Sequence, residues 1–263
     1  ISSIKTIGSG SAPLSPWMVK SWQDDYGIYV LNYFGSNEGA TLVSGPNEMP
    51  GPENRALYFP RFGVPGYEWN ARVSKMMQTR LVDLATGEDI TGPGQPGELL
   101  IKGAAVMTGY YKAPELNKRA FDDQGYFHTG DVFEISGEGG NLPFYRYVGR
   151  SKDIIIRGGQ NISPEEVENL LQGHPKVAEV AVIGYPDRVL GERVCACVAP
   201  RPDQEISLDE LVSYLKEKKI AVFKMPERLI VLGNLPRNPV GKLLKGSLRE
   251  QVRQKAASEE VPA

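Results

Sequence analysis

A chain of 263 residues can bury two ordinary cores, and 41% hydrophobic with 24% charged side chains is the composition of a folded globular protein, not a disordered one. The 30 basic and 32 acidic residues leave a formal net charge of −2, which removes the electrostatic ground for a nucleic-acid or membrane-surface role. No apolar run approaches a membrane-spanning length and no secretory signal opens the chain; Ile1 is not a natural start residue, so the N-terminus is expected upstream.

Residues 2–7 read as a short strand entering the turn Gly8-Ser-Gly-Ser-Ala-Pro13. A glycine-serine loop after a strand suggests a phosphate cradle, but no Lys-Ser or Lys-Thr follows, so it is not a P-loop, and a plain strand-to-helix turn explains it as well. Ser15-Pro16 opens an amphipathic helix to about Asp25, and 29–33 form the next strand. From about 62 to 148, short β segments at 70–73, 77–83, 97–102 and 144–148 are punctuated by Thr86-Gly87, Gly92-Pro-Gly94 and Asp123-Gln-Gly125, predicting a small antiparallel barrel or sandwich. The Met76-Met77 pair reads as core.

The stretch from Tyr147 to Glu168 is denser in signals. A charged turn at Arg150, Lys152 and Asp153 precedes a β-branched run, then Gly158-Gly159, then a helix start with Ser163 as cap, Pro164 at the first turn and Glu166 three residues after the cap. Beyond it, helices at 163–172 and 207–219 alternate with strands at 177–184, 192–199 and 228–233. In the second helix Ser207 and Glu210 make a capping box, and Leu208, Leu211, Val212 and Leu215 share one face. Cys195 and Cys197 lie two apart on an alternating strand, on one face and too separated for an easy disulfide; core packing, a reducing compartment and a cytoplasmic location are expected. The end of the chain is expected to fray.

Several motifs, in matched order and spacing, resemble the adenylate-forming (AMP-binding) superfamily of acyl-CoA synthetases, adenylation domains and luciferases. They are Asn32-Tyr-Phe-Gly-Ser-Asn-Glu38; Gly97-Glu-Leu-Leu-Ile-Lys-Gly103 with Thr108-Gly-Tyr-Tyr111; Tyr126-Phe-His-Thr-Gly-Asp131; the whole run from Gly149 to Glu168; and Leu235-Pro-Arg-Asn-Pro-Val-Gly-Lys242, with Lys224-Met-Pro-Glu227 as a weaker marker. The resemblance implies an α/β fold, α+β in parts: the remnant of a large N-terminal adenylate-forming domain at 1–151, ending in a small β-barrel at about 62–148, then a small mobile α+β domain at 152–255 and a tail at 256–263.

It also implies a site. Tyr33, Phe34, Gly35 and Asn37 would border the nucleotide, an aromatic offering a face to the purine and glycine admitting the backbone. Glu38 would be the magnesium ligand, a carboxylate for a hard cation. Phe34 stands where relatives have Tyr, and Asn37 where they have Thr. Asp131 would accept both ribose hydroxyls and Arg150 would contact ribose or phosphate; His128 falls at a variable position and is assigned no role. Gly10, Ser11 and Ala12 would form one wall of the acyl pocket, Lys152 would be the hinge, and Gly158-Gly159 would approach the pantetheine thiol. Lys242 would be catalytic, bridging the substrate carboxylate and the α-phosphate.

The loop that grips the β- and γ-phosphates in relatives has no counterpart here, so the chain is expected to be the latter half of an enzyme and poor at adenylation alone. The implied activity is an acid–CoA ligase using ATP, which becomes AMP, with Mg2+, CoA and a fatty, alicyclic or aromatic acid. The alternatives are an adenylating enzyme feeding a carrier protein, with no carrier domain expected after residue 255, and a non-catalytic nucleotide-binding fragment. Expected partners are these small molecules and either a second copy or the missing N-terminal half, without nucleic acid or a membrane span.

Overall fold

The computed structural model describes residues 3–10, 13–39, 41–138, 141–239, 241 and 243–259, and the chain divides into two units, Ile1–Ser151 and Lys152–Ala263. The fold is mixed α/β.

In the first unit, β1 (Thr6–Gly10), α1 (Pro16–Tyr26) and β2 (Tyr29–Gly35) make a parallel β-α-β unit, edged by antiparallel β3 (Thr41–Ser44). Parallel pairing requires a crossover, and α1 supplies it. Ser15 caps its start, Pro16 occupies the first turn, and Gly27 closes it at φ 65°. The expected strand at 2–7 therefore runs further along the chain, and Gly8 and Gly10 lie inside it rather than in a loop.

The short helix α2 (Pro52–Leu57) carries Arg55, whose side chain is fully buried. Its Nε donates to the Val30 carbonyl at 2.9 Å, Nη1 to the carbonyls of Met49 and Pro50 at 3.0 and 3.3 Å, and Nη2 to Oε1 of Gln23. All four acceptors are neutral, so burial pulls the guanidinium pKa down. One side chain thus ties α1, β2 and α2 together.

The second sheet of this unit is built from β4 (Tyr58–Pro60), β5 (Met77–Val82), β6 (Pro96–Gly103), β7 (Phe127–Glu138) and β8 (Asn141–Arg150), with α3 (Pro114–Ala120) between β6 and β7. Its order is β4-β8-β7-β6-β5, antiparallel throughout. It does not close, which corrects the expected barrel. One edge is a strand of three residues, short enough to stay open, and Phe59, Phe62, Leu99, Ile101, Phe133, Ile135 and Tyr145 cover the apolar face without closure. The expected strand at 70–73 is also corrected: Arg72–Met76 form a single 3-10 turn, with the Ser74 hydroxyl bonded back to the Trp69 carbonyl at 3.2 Å. Met77 is core as expected, whereas Met76 is exposed.

In the second unit, β9 (Ile155–Arg157) and β10 (Gln160–Ile162) form a hairpin, followed by α4 (Pro164–Leu171), β11 (Val177–Asp187), β12 (Gly191–Pro200), α5 (Leu208–Glu217), β13 (Arg228–Val231) and α6 (Lys245–Glu259). The sheet order is β10-β9-β12-β11, and β13 pairs in parallel with β12. Both faces are buried. Val194, Ala196 and Val198 pack under α4 and α5 with Val167, Leu171, Leu211 and Leu215, while Cys195 and Cys197 face Leu248 and Val252 of α6. The cysteines are buried and share one core-facing side. Helix α6, for which the sequence reading gave no helix, runs to Glu259.

Candidate functional site

Motifs about 100 residues apart in sequence meet in the first unit. Asp131 and Arg150 are directly paired across β7 and β8, and Arg150 Nε lies 3.2 Å from Asp131 Oδ1. The carboxylate is buried and the guanidinium half exposed, so the acid is held by the fold while the base reaches solvent. Tyr147 donates its hydroxyl to the same Oδ1 at 3.5 Å. Phe34 packs edge-on to Phe133 at 4.8 Å between ring centroids and lies 6.2 Å from Tyr147.

Glu38 follows in the turn after β2, and its carboxyl is held below the usual range. Its own backbone N–H contributes most, followed by the Ser36 side chain, the Tyr110 hydroxyl and the positive charge of Arg150, against the opposing effect of burial. Phe34, Asp131, Tyr147 and Arg150 thus form one contacting group, and the charge of Arg150 acts on Glu38. Glu38 is an ionised oxygen donor, and among the described residues no cluster of three or more His, Cys, Asp or Glu could cage a metal. The ionised Glu38 carboxylate is a donor type suited to Mg2+, which is commonly held by one or two carboxylates with water and substrate phosphates completing the shell.

Other expected nucleotide residues fall elsewhere. Tyr33 alternates away from Phe34 along β2 and lies over β1, where a Cβ on Gly8 would sit 2.8 Å from its ring. Gly35 ends β2, and Asn37 is exposed in the turn. Gly10 ends β1 against the Tyr33 backbone, and Ser11 and Ala12, expected beside it in an acyl pocket, lie outside the described residues.

Sequence reasoning missed the residues that hold Gly130, the backbone neighbour of Asp131. Glu98 accepts from the Gly130 N–H with Oε1 at 2.9 Å and lies 2.9 Å from His128 Nδ1 with Oε2. The Gly130 carbonyl accepts from both N–H and Oγ of Ser151, at 2.9 and 3.1 Å. His128 thus contacts the Glu98 carboxylate that also holds the Gly130 N–H. The available signal was strand parity between the Gly-Glu-Leu and Thr-Gly-Asp motifs, which becomes usable only once β6 and β7 are known to pair. Tyr110 and Tyr147 were likewise in view, one in a motif read as structural and the other opening the long stretch, and neither was given a role.

In the second unit, Lys152 is exposed in the opening turn, where Arg249 bonds the Lys152 carbonyl at 3.4 Å and the Asp153 carboxylate at 2.8 Å. Gly158 and Gly159 are the two central residues of the β9–β10 hairpin, at φ 55° and 78°, a turn that requires left-handed backbone at both positions. The Gly158 N–H donates to the Leu190 carbonyl at 2.7 Å, fixing the hairpin to the turn before β12. Behind it Arg157 grips Glu227 with two bonds of 2.9 and 3.0 Å, and this pairing holds the Glu227 carboxyl below its ordinary range. Lys242 lies outside the described residues. Among the described residues on either side, Arg237 is bridged to Leu243 and its Nη1 donates to the Gly241 carbonyl at 2.8 Å.

The sequence model described as AMP-binding enzyme matches residues 1–111, and that of the AMP-binding enzyme C-terminal domain matches residues 166–242. A medium-chain fatty-acid–CoA ligase of Escherichia coli K12 is 35% identical over 230 residues, 86% of this chain and 37% of the relative. A salicylyl-CoA synthase / salicylate adenylyltransferase of a Streptomyces species is 46% identical over 168 residues, 64% of this chain and 30% of the relative. The crystal structure of ATP-bound MatB from Rhodopseudomonas palustris superposes with a TM-score of 0.71 at 32% identity, covering 94% of this chain and 45% of that one. The chain thus spans less than half the length of these relatives. On the two family models and the shared fold together, the chain belongs to the adenylate-forming, AMP-binding enzyme family.

Proposed function

We propose that the protein containing this chain is an acid–CoA ligase that converts a carboxylic acid, ATP and CoA to acyl-CoA, AMP and pyrophosphate through an acyl-adenylate. The observation that carries the reading is the grouping of Phe34, Asp131, Tyr147 and Arg150, with the ionised Glu38 under the influence of the Arg150 charge. Asp131, fixed from behind by Arg150 and Tyr147, accepts the two ribose hydroxyls with its coplanar oxygens. Phe34 and Tyr147 border the purine, and Arg150 balances phosphate charge. Glu38 holds Mg2+, whose role when bound is to neutralise phosphate oxygens.

Lys242 supplies a point charge at the pentavalent phosphorus as the carboxylate attacks and pyrophosphate leaves. Lys152 then changes its backbone dihedrals as a hinge, and the Gly158-Gly159 turn, without side chains, admits the pantetheine arm whose thiolate attacks the acyl carbon and releases AMP. Among the fatty, alicyclic and aromatic acids that the resemblance implies, the fatty-acid ligase relative supports an aliphatic one and the salicylate relative an aromatic one. That relative's second activity, adenylyl transfer, also supports a reading in which the acceptor is not CoA. The span of less than half the relatives supports an upstream portion that completes the phosphate site, and two buried cysteines fit a reducing, cytoplasmic setting.

The test is AMP formation by the full-length protein with ATP, Mg2+ and a panel of carboxylic acids, with and without CoA. AMP that requires both an acid and CoA is the expected result. Acid-dependent pyrophosphate release without use of CoA would favour the adenylyl-transfer reading, and ADP as product would overturn both.

A further inference from the structure

The turn that carries Glu38 is pressed against the segment following β6. The Met107 N–H donates to the Glu38 carbonyl at 2.8 Å. Gly39 has φ 105°, and a Cβ there would fall 1.7 Å from the Ala105 carbonyl oxygen, so the approach is possible only for glycine. Three residues beyond Met107, the Tyr110 hydroxyl donates to Glu38 Oε1 at 3.0 Å.

Tyr110 is itself held. Its N–H donates to Oδ1 of Asn117, in α3, at 2.7 Å, and its carbonyl accepts from Nδ2 of the same side chain at 3.0 Å. One asparagine therefore clasps both sides of the Tyr110 backbone. The path from α3 through Asn117 and Tyr110 to the Glu38 carboxylate is continuous and made of hydrogen bonds.

The chemical need for such a brace is visible in the same group. Arg150 exerts a favourable charge interaction on Glu38 while ion-paired to Asp131. The Glu38 N–H and the Ser36 side chain, both on the same turn, hold the carboxyl locally, and Tyr110 is the donor that ties it to a second element against the pull of that guanidinium. A neutral donor does so without competing in charge, and it leaves acceptor capacity for a cation. We propose that Tyr110 is a positioning residue of the metal-binding carboxylate, braced by Asn117, with its hydroxyl engaging Oε1 of Glu38 beside the Glu38 N–H and the Ser36 side chain, so that the carboxylate is held in place with acceptor capacity left for Mg2+. This rests on the reading of Glu38 as the Mg2+ ligand given above.

The test is calorimetric titration of ATP into the full-length protein across a Mg2+ series, beside titration of AMP without metal. Tyr110→Phe, which removes only the hydroxyl, is expected to raise the Mg2+ concentration for half-maximal effect on ATP binding about tenfold, the usual size of an outer-shell loss. Metal-free AMP binding is expected to stay within about twofold, a distinction that general loosening of the fold would not produce. In a Glu38→Gln background, Tyr110→Phe should add nothing to the metal dependence. An unchanged Mg2+ dependence, or equal weakening of ATP·Mg2+ and metal-free AMP binding, would overturn the inference about Tyr110 alone. If Tyr110→Phe does not fold, Asn117→Ala replaces it, with the same metal-specific loss expected and the same two results overturning. Absence of any Mg2+ effect in the unsubstituted protein would instead remove the underlying reading of Glu38.

Discussion

Asp131→Ala is expected to weaken AMP binding by roughly two orders of magnitude. Hydrogen bonds to a charged group contribute about 1.5–3 kcal/mol each, and the carboxylate is proposed to accept two from the ribose. Two effects must be separated, because the substitution also deprives Arg150 and Tyr147 of a shared acceptor. The ribose contribution can be isolated with 2′,3′-dideoxy-AMP. Loss of Asp131 should scarcely change the affinity for this analogue, since the hydroxyls it would recognise are gone. Competition titration of AMP and the analogue on the parent and on Asp131→Ala measures this directly. Equal weakening of both ligands would mean that Asp131 shapes the sheet edge without touching ribose.

The second large effect concerns stability. Arg55→Met is expected to destabilise the first unit by about 3–5 kcal/mol. The loss of a buried ion pair is not the cause, because none of the four acceptors of Arg55 carries a charge. The cost comes from three backbone carbonyls and one amide oxygen left without a donor inside a packed region, each worth about 1–3 kcal/mol before partial rescue by water. A methionine of similar length removes the charge and fills most of the volume, so little of the loss can be assigned to a cavity. All three tryptophans, Trp17, Trp22 and Trp69, lie in the first unit. Urea unfolding followed by tryptophan fluorescence therefore reports that unit, and its midpoint should fall. A change below about 1 kcal/mol would show that water satisfies the freed carbonyls.

Much of this was legible in the chain because local chemistry and tertiary fold agree. The caps at Ser15, Ser163 and Ser207 start helices within one residue of expectation, each with its hydroxyl accepting a backbone N–H. The strands at 177–184 and 192–199 were found for the same reason: β-branched runs bounded by polar turns. Other elements escaped because their signals are not local. Helix α6 has few apolar residues, with Leu248 and Val252 among its buried ones. The hint of its existence was in β12: an uninterrupted apolar run from Val194 to Val198 implies that both faces of the strand are covered. Strand β7 was hidden by the Thr-Gly-Asp sequence and by two register shifts against β8, which break the alternation that identifies strands.

The candidate site divides in the same way. Asp131, Arg150 and Glu38 were readable as residue types suited to a diol, an anion and a hard cation, and the fold brings them together. Tyr33 and Phe34 could not both face one ligand, because neighbours on a strand point to opposite sides. The bracing residues Glu98, Ser151, Tyr110 and Asn117 could not be read at all, since each acts through a partner fixed only by sheet pairing or by a loop–helix contact.

The central claim is that the acid is activated on the α-phosphate. It is tested most directly by supplying the full-length protein with a carboxylic acid labelled with 18O in its carboxyl group, together with ATP, Mg2+ and CoA, and analysing the nucleotide product by mass spectrometry. Attack of the carboxylate on the α-phosphorus, followed by thiolate attack at the acyl carbon, leaves one carboxylate oxygen in AMP. The account predicts AMP carrying a single 18O. Label in inorganic phosphate, with ADP as the nucleotide product, would place the attack on the γ-phosphate and contradict it.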